Sequence, residues 1–136
     1  MNIKSLGLKN TKARENLIHL FRFQKKPIDA TRVSSLFAEK GLRVDQATIY
    51  RALNTFSEKG VVKEVYFNDG VVRYELAGKP EHHHIVCLNC GKVEDILDCS
   101  VEKIEKHIEK KKNFTVISHS LEFFGLCPKC KSKSKS

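Results

Sequence analysis

DQATIYRALNTFSEKGVVKEVYFNDGVVRYEL, residues 45 to 76, changes its period halfway. Up to Gly60 the apolar residues Ile49, Leu53 and Phe56 recur three and four apart, behind an aspartate able to accept the free N–H groups of a first helical turn. Past Gly60 come two runs rich in Val and Tyr, on either side of Asn68-Asp69-Gly70, residues that accept the backbone of a tight turn. The stretch predicts a helix over about 45–60 and then a hairpin.

Upstream, Thr11 to Phe23 opens on an N-cap threonine and places Ala13, Leu17, Ile18, Leu20 and Phe21 at helical spacing. A second helix is predicted from about Asp29 to Lys40, with Val33, Leu36 and Phe37 inward and Gly41 as its stop. Two short helices joined by KGLRV have the outline of a helix-turn-helix, and helix, helix, helix, hairpin is the order of a winged helix.

Downstream, AGKP at 77–80 reads as a hinge. Beyond it, a strand over 84–88, a tight turn at 87–91 and a returning strand over 92–96 are expected. A helix over 100–112 with Val101, Ile104 and Ile108 on one face follows, then a strand or strand pair in FTVISHSLEFFGL. The expected fold class is α+β: a winged-helix unit over 1–77, a hinge at 78–80, a second small α/β unit over 81–130, and a tail at 131–136 without structure.

No run of about 18 apolar residues occurs, and MNIKSLGLKN lacks a signal-peptide core, so the expected address is the cytoplasm, away from membranes. Reduced thiols are the rule there, which makes the five cysteines better metal ligands than disulfide partners. Charge is uneven: 14 basic against 8 acidic residues in 1–76, 7 against 8 in 77–128, and four lysines in 129–136. A basic first half suits a polyanion, and a lysine-rich solvated surface is the plainer alternative.

Cys87 and Cys90 in CLNCGK and Cys127 and Cys130 in CPKC form two Cys-x-x-Cys knuckles, the donor set of a closed, structural Zn²⁺ site. Redox dithiols are the competing use of such pairs. Cys99 has no partner at ligand spacing and suits a small buried hydrophobe.

With four sulfurs committed, the histidines of EHHHIVC are left for something else. Alternate residues of a strand share a face, so His82 and His84 point together and His83 points away. A hairpin centred on Cys87 to Cys90 sets Asp95 opposite His82. His82, His84 and Asp95 then make a patch suited to Fe²⁺, Mn²⁺ or Zn²⁺, with Glu75 before the hinge as a fourth ligand. On the other face His83, Glu102 and His119, with Glu81, form an additional candidate site, weighed against ordinary surface histidines and acids.

ATIYRALNTF, RYEL, HHHIVCLNCGKVEDI, SHSLEFFGLC and CPKC, in this order and spacing, resemble the ferric uptake regulator family of metal-sensing bacterial repressors. The resemblance covers about residues 5 to 130. It implies a homodimer that binds a double-stranded DNA operator through winged helices, each followed by a dimerisation domain. It assigns Cys87, Cys90, Cys127 and Cys130 to structural zinc, Glu75, His82, His84 and Asp95 to a regulatory metal, and Glu81, His83, Glu102 and His119 to an additional site. Tyr50 and Arg51 match base-reading positions, Thr48 a phosphate contact, and Lys9 a basic residue that enters the minor groove. One position departs: just before Pro27, where many members supply a histidine, stands Lys26.

The expected function is a regulator, not an enzyme, that represses metal-uptake or oxidative-stress genes when metal is bound. The rivals are a winged-helix regulator whose metals are purely structural, a zinc-ribbon interaction module, and a thiol-redox or metal-dependent enzyme.

Overall fold

The computed structural model describes residues 3–78, 82–97 and 100–133. Residues 79 and 80 of the hinge, Glu81, Cys99 and the tail residues 134–136 lie outside them. The chain divides into two compact units, Met1–Lys79 and Pro80–Ser136.

In the first unit a short 3-10 turn, Ile3–Leu6, precedes α1 (Lys12–Phe23), β1 (Ile28–Asp29), α2 (Ala30–Glu39), α3 (Gln46–Glu58), β2 (Val62–Tyr66) and β3 (Val72–Leu76). Each main helix begins where its side-chain cap dictates. Thr11, Asp29 and Asp45 accept the N–H groups of Arg14, Arg32 and Thr48 at 3.2, 2.7 and 3.0 Å.

Helices α2 and α3 end alike. Gly41 and Gly60 turn left-handed at φ 75° and 73°, and the following N–H groups of Leu42 and Val61 return to Phe37 and Phe56 at 2.9 and 2.8 Å. These two stops set the angle of α3 and launch β2. Leu17, Val33, Phe37, Ile49, Leu53 and Phe56 are almost completely buried in one core beneath the three helices.

The sheet of this unit has the order β1-β3-β2, all antiparallel, with Tyr66 opposite Val72 and Lys63 opposite Glu75. Its hairpin loop bends at Asn68 and Gly70, with φ of 59° and 76°. Asp69 holds the loop by accepting from the Val71 N–H at 3.1 Å and pairing with Arg73 at 2.8 Å. The fold expected of a winged helix, three helices and then a hairpin, is therefore present in the first unit, with an addition: the two-residue β1 pairs with β3, and its Asp29 also caps α2.

The second unit contains β4 (His83–Cys87), β5 (Val93–Ile96), α4 (Val101–Lys112), β6 (Glu122–Gly125) and α5 (Pro128–Lys133). Its sheet has the order β5-β4-β6, with β5 antiparallel and β6 parallel to the central β4. Three expectations are corrected here. Residues 131–133 are the last turn of α5 instead of tail. Within 114–126 only Glu122–Gly125 is strand. Asp95 stands opposite His84 instead of His82, because Gly91, at φ 78°, extends the knuckle so that pairing begins at Val86 and Val93. The slip is two residues, so the face assignment survives it.

Among the described residues of this unit, the buried apolar side chains are only Cys87, Val101 and Cys130. Leu97, Ile104, Phe114 and Ile117 are more than half exposed. So little burial is a weak basis for an independent fold.

Candidate metal centres and nucleic-acid face

The end of β4 and the start of α5 bring the two knuckles together. One sulfur from each of Cys87, Cys90, Cys127 and Cys130 lies within 4.8 Å of all the others, and the Cys90 and Cys127 Sγ atoms are 3.7 Å apart. A tetrahedron with Zn–S bonds of about 2.3 Å has an edge of about 3.8 Å, so the four donors fit that ion in number, softness and spacing.

The backbone also prepares two of the sulfurs for it. The N–H groups of Cys90 and Cys127 donate to Cys87 Sγ at 3.5 and 3.4 Å and bring that thiol down to about 6. Cys127 is lowered chiefly by the Cys130 N–H. The Asn89 amide, 3.2 Å from Cys130 Sγ, pulls that thiol down too, but the bond to Cys127, burial and the other thiols outweigh it and leave Cys130 at about 11.

The histidines divide as strand parity requires. His82 and His84 stack edge to face with ring centres 5.0 Å apart, and both are buried. His84 Nε2 lies 3.7 Å from Asp95 Oδ1 of β5, and its Nδ1 lies 3.1 Å from Glu122 Oε2 of β6. Two imidazoles, borderline donors, and a hard carboxylate together suit Fe²⁺, Mn²⁺ or Zn²⁺. Glu75, in the first unit, sits on β3 and pairs across the hairpin with Lys63 at 3.3 Å.

On the opposite face His83 Nε2 is 3.0 Å from His119 Nε2. The helix carboxylate that reaches this pair is Glu105, whose Oε1 is 2.5 Å from His119 Nδ1, instead of Glu102. Glu102 is exposed and pairs with Lys106 at 3.3 Å along α4. The two glutamates are three residues apart on α4, close enough in angle that helical spacing alone could not choose between them.

Glu105 and Glu122 were not found from the sequence. Glu122 shares its strand parity with the end of the SHSLEFF segment, but only the parallel pairing of β6 with β4, across 38 residues of chain, places it beside His84.

In the first unit Lys9, Thr48 and Arg51 line one groove together with Arg14 and Thr55, and Tyr50 projects from α3, 47% exposed. Arg51 donates to Thr48 Oγ1 at 3.3 Å, and Arg14 donates to the Lys9 carbonyl at 2.8 Å, holding the basic segment before α1 against the helix. A groove between the start of α1 and α3, edged by the three cations Lys9, Arg14 and Arg51, is suited to a phosphate backbone. Lys26, at the departing position, is exposed.

The model of the ferric uptake regulator family matches residues 5–124. The chain belongs to that family. A ferric uptake regulation protein of Bacillus subtilis is 35% identical to it, over 96% of this chain and 91% of that protein. The structure of the ferric uptake regulator of Francisella tularensis with iron superposes with a TM-score of 0.80 at 28% identity, covering 92% of this chain and 96% of that one. The Helicobacter pylori ferric uptake regulator, whose structure is described as revealing three functional metal binding sites, gives a TM-score of 0.80 at 29% identity, covering 95% and 86%.

As a ferric uptake regulator the chain is a metal-responsive transcriptional regulator. No helix among its described residues is long and apolar enough to cross a membrane.

Proposed function

We propose that this regulator is a homodimeric repressor whose operator binding is switched by a metal at Glu75, His82, His84 and Asp95. The observation that carries the proposal is the patch on β4 and β5, where the His84 and Asp95 donor atoms lie 3.7 Å apart beside a second buried imidazole. One ion with bonds of about 2.1 Å can span such a pair. Glu75 comes from the end of the wing, so an ion that takes it as a ligand couples the DNA-reading unit to the second one.

Zn²⁺ at the four cysteines is the structural ion. Fe²⁺, Mn²⁺ or Zn²⁺ serves the switch, and His83, His119 and Glu105 form the additional site, three in all, as the Helicobacter pylori protein is described as having. Lys9, Thr48, Tyr50 and Arg51 contact DNA, Arg51 at base edges and Thr48 at phosphate. The second copy covers the apolar side chains that the second unit leaves exposed. A cytoplasmic address and the absence of any catalytic role complete the proposal, since the acids and imidazoles of the patch serve as ligands.

A metal that prefers the DNA-competent arrangement about 100-fold shifts the equilibrium by roughly 2.7 kcal/mol, enough for a switch. Titrating the zinc-loaded protein onto an A·T-rich inverted-repeat duplex in a gel shift, with chelator and with each ion in turn, tests it. Tightening by one of the ions supports the proposal, and equal binding throughout refutes metal control.

Lys26 favours a second reading, in which all the metals are structural. Under it His82→Ala with His84→Ala lowers the melting temperature but leaves operator affinity in excess metal unchanged.

A further inference from the structure

We infer that Glu122 is the positioning residue of the regulatory site: it fixes the tautomer and direction of His84 so that Nε2 is the metal-binding atom. The inference rests on the site proposed above and concerns a residue outside its ligand set.

His84 stands on the central strand of its sheet, level with Asp95 on one side and Glu122 on the other. A carboxylate therefore faces each ring nitrogen, but at different distances. Glu122 Oε2 is at hydrogen-bond range from Nδ1, 3.1 Å, whereas Asp95 Oδ1 is 3.7 Å from Nε2, too far for a hydrogen bond and wide enough to admit an ion between them.

An ionised carboxylate can only accept, so the short contact places the imidazole proton on Nδ1. The lone pair then lies on Nε2, facing Asp95. The glutamate side chain is 17% exposed and the imidazole 2%, which keeps water from competing for the bond. A ligating imidazole held in this way by a carboxylate on its far nitrogen is oriented before the ion arrives and is a stronger donor. Because β6 supplies the glutamate, its arrival depends on the parallel pairing that also leads into the second cysteine knuckle.

The test uses the full-length, zinc-loaded protein with Mn²⁺ as the probe. Long-range 15N–1H spectra before Mn²⁺ is added report the His84 tautomer, and competition with a chromophoric chelator reports affinity. Wild type is expected to show the Nδ1–H tautomer. Glu122→Leu should bind Mn²⁺ about 10- to 100-fold more weakly, with its zinc content intact. Glu122→Gln, whose amide oxygen still accepts from Nδ1–H without the charge, should fall between the two.

An Nε2–H tautomer in wild type would overturn the inference, as would unchanged Mn²⁺ affinity in Glu122→Leu or a Glu122→Gln protein no tighter than it. His84→Ala separates the two levels. If it binds Mn²⁺ as tightly as wild type, the regulatory site itself is wrong. If it loses Mn²⁺ while Glu122→Leu keeps it, only the role of Glu122 fails.

Discussion

Arg51 on α3 and Asp45 at its N-cap are expected to divide recognition from stability. Arg51 lies exposed in the basic groove with its guanidinium steered by Thr48, so Arg51→Ala should cost about 1–3 kcal/mol of operator affinity in a binding titration. Its melting temperature should stay close to wild type. Asp45 caps the same helix, and the side-chain hydrogen bond with Thr48 holds its carboxyl below the ordinary 3.8. Its folded pKa is the lower one, so its contribution to stability is present above the unfolded value and is lost as pH falls through the folded value. Asp45→Ala should therefore lower the urea midpoint at pH 7, and the gap to wild type should close in acid below about pH 4. The candidate site residues that local pattern could reach were legible: cysteine pairs by spacing, His82 and His84 against His83 by parity. Glu105 and Glu122 were not: helical spacing could not separate Glu105 from Glu102 on α4, and Glu122 arrives through a parallel crossover that leaves no periodic trace.

At the scale of elements, the two units differ in what holds them. The first has its own core, and Leu53, at its centre, is fully buried. Leu53→Ala should cost about 2–5 kcal/mol in urea unfolding through the cavity it leaves. The second unit has β4, β5 and β6 tied at one end by the cysteine knuckles and little apolar burial besides. Stripping zinc with a strong chelator, or Cys90→Ser, should abolish hydrogen-exchange protection in β4 to β6 first, with the three-helix core still protected. Protection of both units equally after zinc removal would contradict that. The helices and the wing were readable because each carries its own period and its own cap. The short β1 was not, since two residues have no period, and the knuckle's register slipped because only the backbone reveals that Gly91 belongs to the turn.

Across the whole molecule, the apolar residues left exposed on the second unit, Ile104 and Ile108 of α4 among them, are the surface a second copy would bury. Ile104→Glu with Ile108→Glu should turn a dimer into a monomer in sedimentation velocity and, with it, weaken binding to an inverted repeat. Sequence patterning made these residues a helix face but said nothing of what covers it, because a core and an interface share the same period. The central claim is that metal on the His82, His84 and Asp95 patch controls DNA binding. Fluorescence anisotropy of a labelled inverted-repeat duplex, titrated with zinc-loaded wild type and His82→Ala/His84→Ala protein with and without Fe²⁺ or Mn²⁺, tests it most directly. One of the two ions should tighten wild-type binding about 100-fold and leave the double variant at its metal-free affinity. A double variant that binds as tightly as metal-loaded wild type would contradict the claim.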